Sequence, residues 1–110
     1  MTPLEKELEG KLLDIYERCK TIGYTANYFK RMIVSKDPRY RKGPIGTVRH
    51  LMLGSVQPQS GFARLKKANR IDWTVEWLIA NDPKWAQLFP KADWVIKKAK
   101  SRLQTTENSN

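Results

Sequence analysis

A chain of 110 residues with one cysteine and a formal net charge of +10 has room for one ordinary domain. It excludes an internal disulfide and carries enough positive charge to attract polyanions. A lone Cys19 gives no sign of an oxidising compartment, "MTPLEKELEG" lacks the cationic start and apolar stretch of a signal peptide, and no window has the length of apolar sequence that spans a bilayer, so a cytoplasmic protein with no membrane partner is expected.

The charge is uneven: residues 1–17 sum to −3, residues 18–49 to +8 and the remainder to +5. In chain order, Leu4, Leu8, Leu12, Ile15 and Cys19 step by four, four, three and four, the stripe of an amphipathic helix. Thr2 is placed to cap it, Pro3 suits the first helical position and Glu5 completes a capping box. "IGY" ends it. Thr25 is expected to cap a second helix with Phe29, Met32 and Ile33 inward. "SKDPRYRKGPIG" reads as a loop. A third helix then follows from Pro44 or Ile45 to Leu53, presenting Ile45, Val48, Leu51 and Met52.

"GSVQPQSG" breaks the third helix. Ser60 is placed to cap a fourth, with Phe62 and Leu65 inside and Arg64, Lys66 and Lys67 outside. Asp72 or Thr74 opens a fifth, burying Trp73 or Trp77 with Val75, Leu78 and Ile79. Asp82 and Pro83 start a turn that brings in Trp85, Leu88 and Phe89. A last helix over residues 91–103 spaces Val95, Ala99 and Leu103 by four. "QTTENSN" is a polar tail without the apolar content to fold. With no alternating apolar and polar run, the expectation is an all-α protein: a single compact domain of five or six short helices over residues 1–103, with a disordered tail over 104–110. Its core is expected to contain Leu8, Leu12, Phe29, Met32, Leu51, Phe62, Leu65, Val75, Leu78 and Leu88.

Catalytic groups are scarce. One histidine, His50, and one cysteine cannot make a Cys/His zinc site. Cys19 follows the apolar stripe of the first helix and reads as a core thiol. "GPIGTVR" has no Gly-Lys-Ser/Thr ending for a phosphate loop, and the acidic residues after Glu17 stand singly, without pairs for two-metal hydrolysis. The expectation is a protein that is not an enzyme and needs no metal or cofactor.

Contact residues are sought among the cations instead. Lys36, Arg39, Arg41 and Lys42 surround Tyr40 within seven residues, with Asp37 alone opposing them. Such a loop can reach successive phosphates while its tyrosine lies against a sugar or base. Arg49, Lys66, Lys67, Lys97 and Lys98 extend the candidate set. The four tryptophans, Trp73, Trp77, Trp85 and Trp94, fall among lysines in the last third. Most are expected to fill the helical core rather than to stack on bases.

The order "IGYTANYFKRMI", "GTVRHLML", "SGFARLKKANRIDWTVEWLI", "WAQLF" and "AKSRL" resembles a small bacterial helical domain that recurs alone and beside genes for DNA-processing or restriction-type proteins. The resemblance runs from Leu8 to Leu103. It is carried by Gly23, Tyr24, Phe29, Met32, Gly46, Leu51, Leu53, Ser60, Gly61, Phe62, Leu65, Arg70, Asp72, Thr74, Val75, Glu76, Leu88, Phe89 and Leu103. It implies a fold and no activity. The basic "SKDPRYRKGP" and the lysine-rich end depart from the pattern, and both departures favour anionic partners. In "RIDWTVEW" the resemblance makes Asp72 and Thr74 helix caps and lets Glu76 reach the backbone or Arg70, so the segment is a structural corner.

The expected function is a non-catalytic basic nucleic-acid-binding accessory module, for DNA before RNA, in a DNA-processing or defence setting. The alternative is a protein-interaction adaptor or inhibitor, phage- or defence-associated and without nucleic-acid binding, whose acidic first helix or basic loop docks on a partner such as an anionic protein surface. The sequence leaves the oligomeric state open.

Overall fold

The computed structural model describes residues 1–54, 60–90 and 94–108. Among these the protein is all-α, with six α-helices and no strand. The chain divides into two compact units, residues 1–48 and 49–110.

The first unit contains α1 (Pro3–Thr21), α2 (Asn27–Val34) and the start of α3 (Gly43–Leu53). The Thr2 hydroxyl accepts the Glu5 N–H at 3.2 Å and donates to the Glu5 carboxylate at 3.3 Å, so the expected cap of α1 forms. Leu8, Leu12, Ile15, Tyr16 and Cys19 are buried along one face. Gly23 then takes φ +79°, a left-handed conformation that costs a Cβ-bearing residue about 1–2 kcal/mol. It lets Gly23 N–H reach Lys20 O at 3.1 Å and Tyr24 N–H reach Cys19 O at 3.0 Å. These paired bonds satisfy carbonyls that the end of the helix would otherwise leave open. The chain turns back into α2, which packs on α1, and the Tyr16 hydroxyl donates to Asn27 Oδ1 at 3.3 Å. Ala26, not Thr25, is the residue before α2, and it makes no side-chain cap bond. Thr25 lies one residue too early, and the burial of Met32 and Ile33 has to hold a helix whose start no side chain caps.

The second unit holds the end of α3, then α4 (Ser60–Lys67), α5 (Val75–Asn81) and α6 (Val95–Asn108). The expected break at residues 55–59 and the expected start of the last helix at Lys91 lie outside the described residues. From Val95, α6 runs on past Leu103 to Asn108. Phe62, Leu65, Val75, Ile79, Trp85, Phe89, Val95 and Ala99 are buried. Of the expected core residues, Phe29, Leu51, Leu78 and Leu88 are only half-buried.

The corner between α4 and α5 is a chain of backbone closures. Asn69 takes φ +61°, a region that asparagine tolerates better than most residues, and Arg70 N–H bonds Leu65 O at 2.8 Å. A single 3-10 turn, Ile71–Trp73, follows. The Thr74 hydroxyl then donates to Ile71 O at 2.7 Å and accepts the Trp77 N–H at 3.0 Å. Thr74 is thus the cap of α5. Asp72 is exposed on the preceding turn and does not fill that role. Asp82 and Pro83 behave as expected, with Asp82 Oδ1 accepting the Lys84 N–H at 3.0 Å.

Glu76 takes a hydrogen bond from its own backbone N–H, as one expected alternative had it, but its charged partner is Arg102 and not Arg70. The carboxylate lies buried against Arg102 of α6, Oε2 to Nη1 at 3.1 Å, and both side chains are more than nine-tenths hidden. The same nitrogen donates to Leu51 O at 2.9 Å. Leu51 is in the last turn of α3, where carbonyls lack helical donors. One guanidinium therefore joins α3, α5 and α6. Removing water from the Glu76 carboxylate raises its pKa above the ordinary glutamate value, and the hydrogen bond from its own backbone N–H, with the opposing charge and hydrogen bond of Arg102, only partly offsets this.

Thr74→Ala should lower unfolding free energy by about 0.5–2 kcal/mol, while Asp72→Ala should stay within about 0.5 kcal/mol, both read by urea unfolding. Arg102→Ala should cost about 3–5 kcal/mol, since it leaves a buried carboxyl without its partner. A carboxyl with a raised folded pKa binds its proton more tightly in the native state, so its contribution to stability is greatest below the ordinary glutamate pKa and is lost as pH rises through the raised value. Melting curves of wild type and Glu76→Gln across that window should differ by this slope, with the flatter profile in the variant.

Candidate nucleic-acid interface

The basic segment after α2 is a built turn rather than an irregular loop. Ser35 N–H closes α2 on Arg31 O at 3.0 Å, and the Ser35 hydroxyl accepts Asp37 N–H at 3.1 Å. Asp37 Oδ1 accepts Arg39 N–H at 3.0 Å, and Asp37 O accepts both Tyr40 N–H and Arg41 N–H at 3.0 and 3.1 Å. Lys42 N–H returns to Met32 O at 2.7 Å. Gly43 then enters α3 with φ +73°, a value suited to glycine.

Asp37 also orients a cation. Arg39 grips its carboxylate through Nε at 3.2 and 3.1 Å and Nη2 at 2.7 Å. That side-chain bond, with the Arg39 N–H, holds the Asp37 carboxyl below its ordinary pKa. Tyr40 is 41% exposed, and the guanidinium carbons of Arg39 and of Arg31 both stand over its ring, each 5.6 Å from the centre. Lys36, Arg41 and Lys42 are exposed around it.

The structure thus brings together five expected residues, Lys36, Arg39, Tyr40, Arg41 and Lys42, and adds Arg31, which sequence reasoning did not select. Arg31 lies nine positions before Tyr40, and only the closure of Lys42 onto Met32 returns the chain to the end of α2. The other five stand in the second unit. Arg49 is exposed on α3, and Lys66 and Lys67 are exposed in the last turn of α4. In that turn, positive charge also favours the helix dipole. Lys97 is exposed on the first turn of α6, with Lys98 half-buried beside it.

The expectation that most tryptophans fill the core is corrected. Trp85 alone is fully buried, Trp73 is half-buried under the Arg70 guanidinium at 4.8 Å, and Trp77 and Trp94 are 39% and 57% exposed. Trp77 stands on the first turn of α5 away from the buried Val75, Glu76 and Ile79, and Trp94 precedes α6. Nearby apolar residues in the sequence do not by themselves place an indole inside.

Cys19 is buried, and that burial raises its thiol pKa. His50 is half-buried on α3. Among the described residues no three His, Cys, Asp or Glu side chains gather where they could hold a metal ion, and no helix is long and apolar enough to cross a membrane. The chain matches no family model, curated protein or solved structure.

Proposed function

We propose that the protein is a non-catalytic nucleic-acid-binding accessory module, for DNA before RNA, whose turn over residues 35–42 lies along the phosphate backbone. The observation that carries this reading is the preordered cation cluster. Arg31 and Arg39 share one tyrosine ring, Asp37 fixes Arg39, and Lys36, Arg41 and Lys42 stand exposed beside them. Backbone hydrogen bonds hold the turn before any ligand arrives, which reduces the ordering cost of binding. Guanidiniums are suited to phosphate oxygens. With two of them already over Tyr40, the ring serves to place cations more than to receive a base.

The DNA-processing or defence setting is proposed from the sequence resemblance alone, which implies a fold and no activity. The remaining exposed cations, Arg49, Lys66, Lys67 and Lys97, add further charge for a polyanion.

Replacing Arg39, Arg41 and Lys42 together by Gln should weaken binding to all duplex sequences alike. It should also lower the slope of log affinity against log salt by roughly one unit per lost contact. A retardation assay across a salt series reads both. The melting temperature should hold, because these side chains lie on the surface. Wild-type affinity in the triple variant, or no salt-sensitive binding by wild type, rejects this reading in favour of an adaptor or inhibitor that docks on an anionic protein.

A further inference from the structure

Trp94 combines features that the basic turn does not account for. It is 57% exposed, the highest exposure of the four tryptophans, although indoles are among the most favourable groups to bury. Its backbone takes φ +61°, an outlier for a bulky side chain. Such a conformation persists only where its surroundings hold it, and such residues cluster at functional sites. Here the following helix supplies the hold: Lys98 N–H bonds Trp94 O at 2.8 Å, and Val95 and Ala99, on the inward side of α6, are buried. The indole is left outside, with the Lys97 ammonium 4.2 Å from its ring centre.

An exposed ring and an adjoining cation match the two chemistries of a single-stranded nucleic acid, a base that stacks and a phosphate that pairs. Tyr40 differs, since two guanidiniums stand over its smaller ring. We propose that Trp94 and Lys97 form a stacking site for an unpaired base. This rests on the nucleic-acid reading and adds single-stranded polymer as a substrate class distinct from the duplex phosphates assigned to the turn. In a chain of net charge +10, a polyanionic strand is the partner that charge complementarity selects. Stacking on an aromatic ring is tolerant of sequence, so preference among bases is expected to be weak.

The test uses the full chain with an oligothymidylate of about twenty nucleotides, longer than a typical single-strand site, and a duplex of equal length. Trp94→Ala should weaken oligothymidylate binding about 5- to 150-fold, the range for loss of one stacked base, and leave duplex binding unchanged. Trp94→Phe should restore most of the loss, and Lys97→Gln should lower the salt slope for the single strand alone. Far-UV circular dichroism checks that the variants are folded, and Trp94→Phe provides a conservative second arm should Trp94→Ala not fold. If Trp94→Ala binds both polymers as wild type does, or weakens both equally, the stacking site is wrong and the duplex reading stands. If wild type binds duplex with salt sensitivity but not the single strand, the stacking site again fails alone. If wild type binds neither polymer, both readings fail.

Discussion

The second unit depends on a cation that it hides. Arg102 gives up water to reach Glu76 and the end carbonyls of α3, and in doing so joins three helices whose sequence neighbours lie about 25 to 50 positions apart. Hiding such a pair is expensive, and apolar residues of similar volume often serve stability as well or better. What the pair adds is position. A guanidinium has a planar array of donors with defined directions, so α6 can satisfy Glu76 and Leu51 together in few registers. The apolar contacts of Val95 and Ala99 provide area without the same directionality. Its placement also explains why Thr74 matters: the cap fixes the first turn of α5, and Glu76 is in that turn.

A different use of cations governs the surface. Arg31, Arg39, Arg70 and Lys97 stand over Tyr40, Trp73 or Trp94, so a good part of the positive charge is held against aromatic rings. Such pairing restricts long side chains that otherwise sample many rotamers, and less entropy is then lost on binding. In the turn over residues 35–42 the restriction begins in the backbone, where Asp37 serves as turn former and as the counter-charge of Arg39. A net charge speaks only to non-specific attraction; a cation set held in a defined arrangement is a better basis for a recognition surface.

Much of the fold was legible because local signals agree with one another. The period of Leu8, Leu12, Ile15 and Cys19, the Thr2–Pro3–Glu5 start and the Gly23 stop all concern residues within a few positions of each other, and the structure has each of them. Asp82 before Pro83 is of the same kind. The misses have a common cause in distance or direction. Arg70 is the cation nearest Glu76 in sequence but stands six positions away and outside α5, and nothing local points to Arg102. Asp72 and Thr74 both carry capping oxygens, and the choice depends on the 3-10 turn that places Thr74 at the helix start. Trp77 and Trp94 are apolar by composition, but their exposure follows from which side of α5 and which end of α6 they occupy. For the candidate interface, clustering in sequence identified Lys36 through Lys42, whereas Arg31 required the turn to close.

The proposed function puts contact with nucleic acid on this closed turn and not on the buried pair. Amide chemical shifts of the full chain, followed by nuclear magnetic resonance as a short DNA duplex is added, address it residue by residue. Salt-sensitive shifts are expected to concentrate at residues 35–42 and Arg31, with the amides of Glu76 and Arg102 unmoved. Shifts centred on the acidic residues of α1, or on Glu76 and Arg102 with residues 35–42 silent, would contradict it.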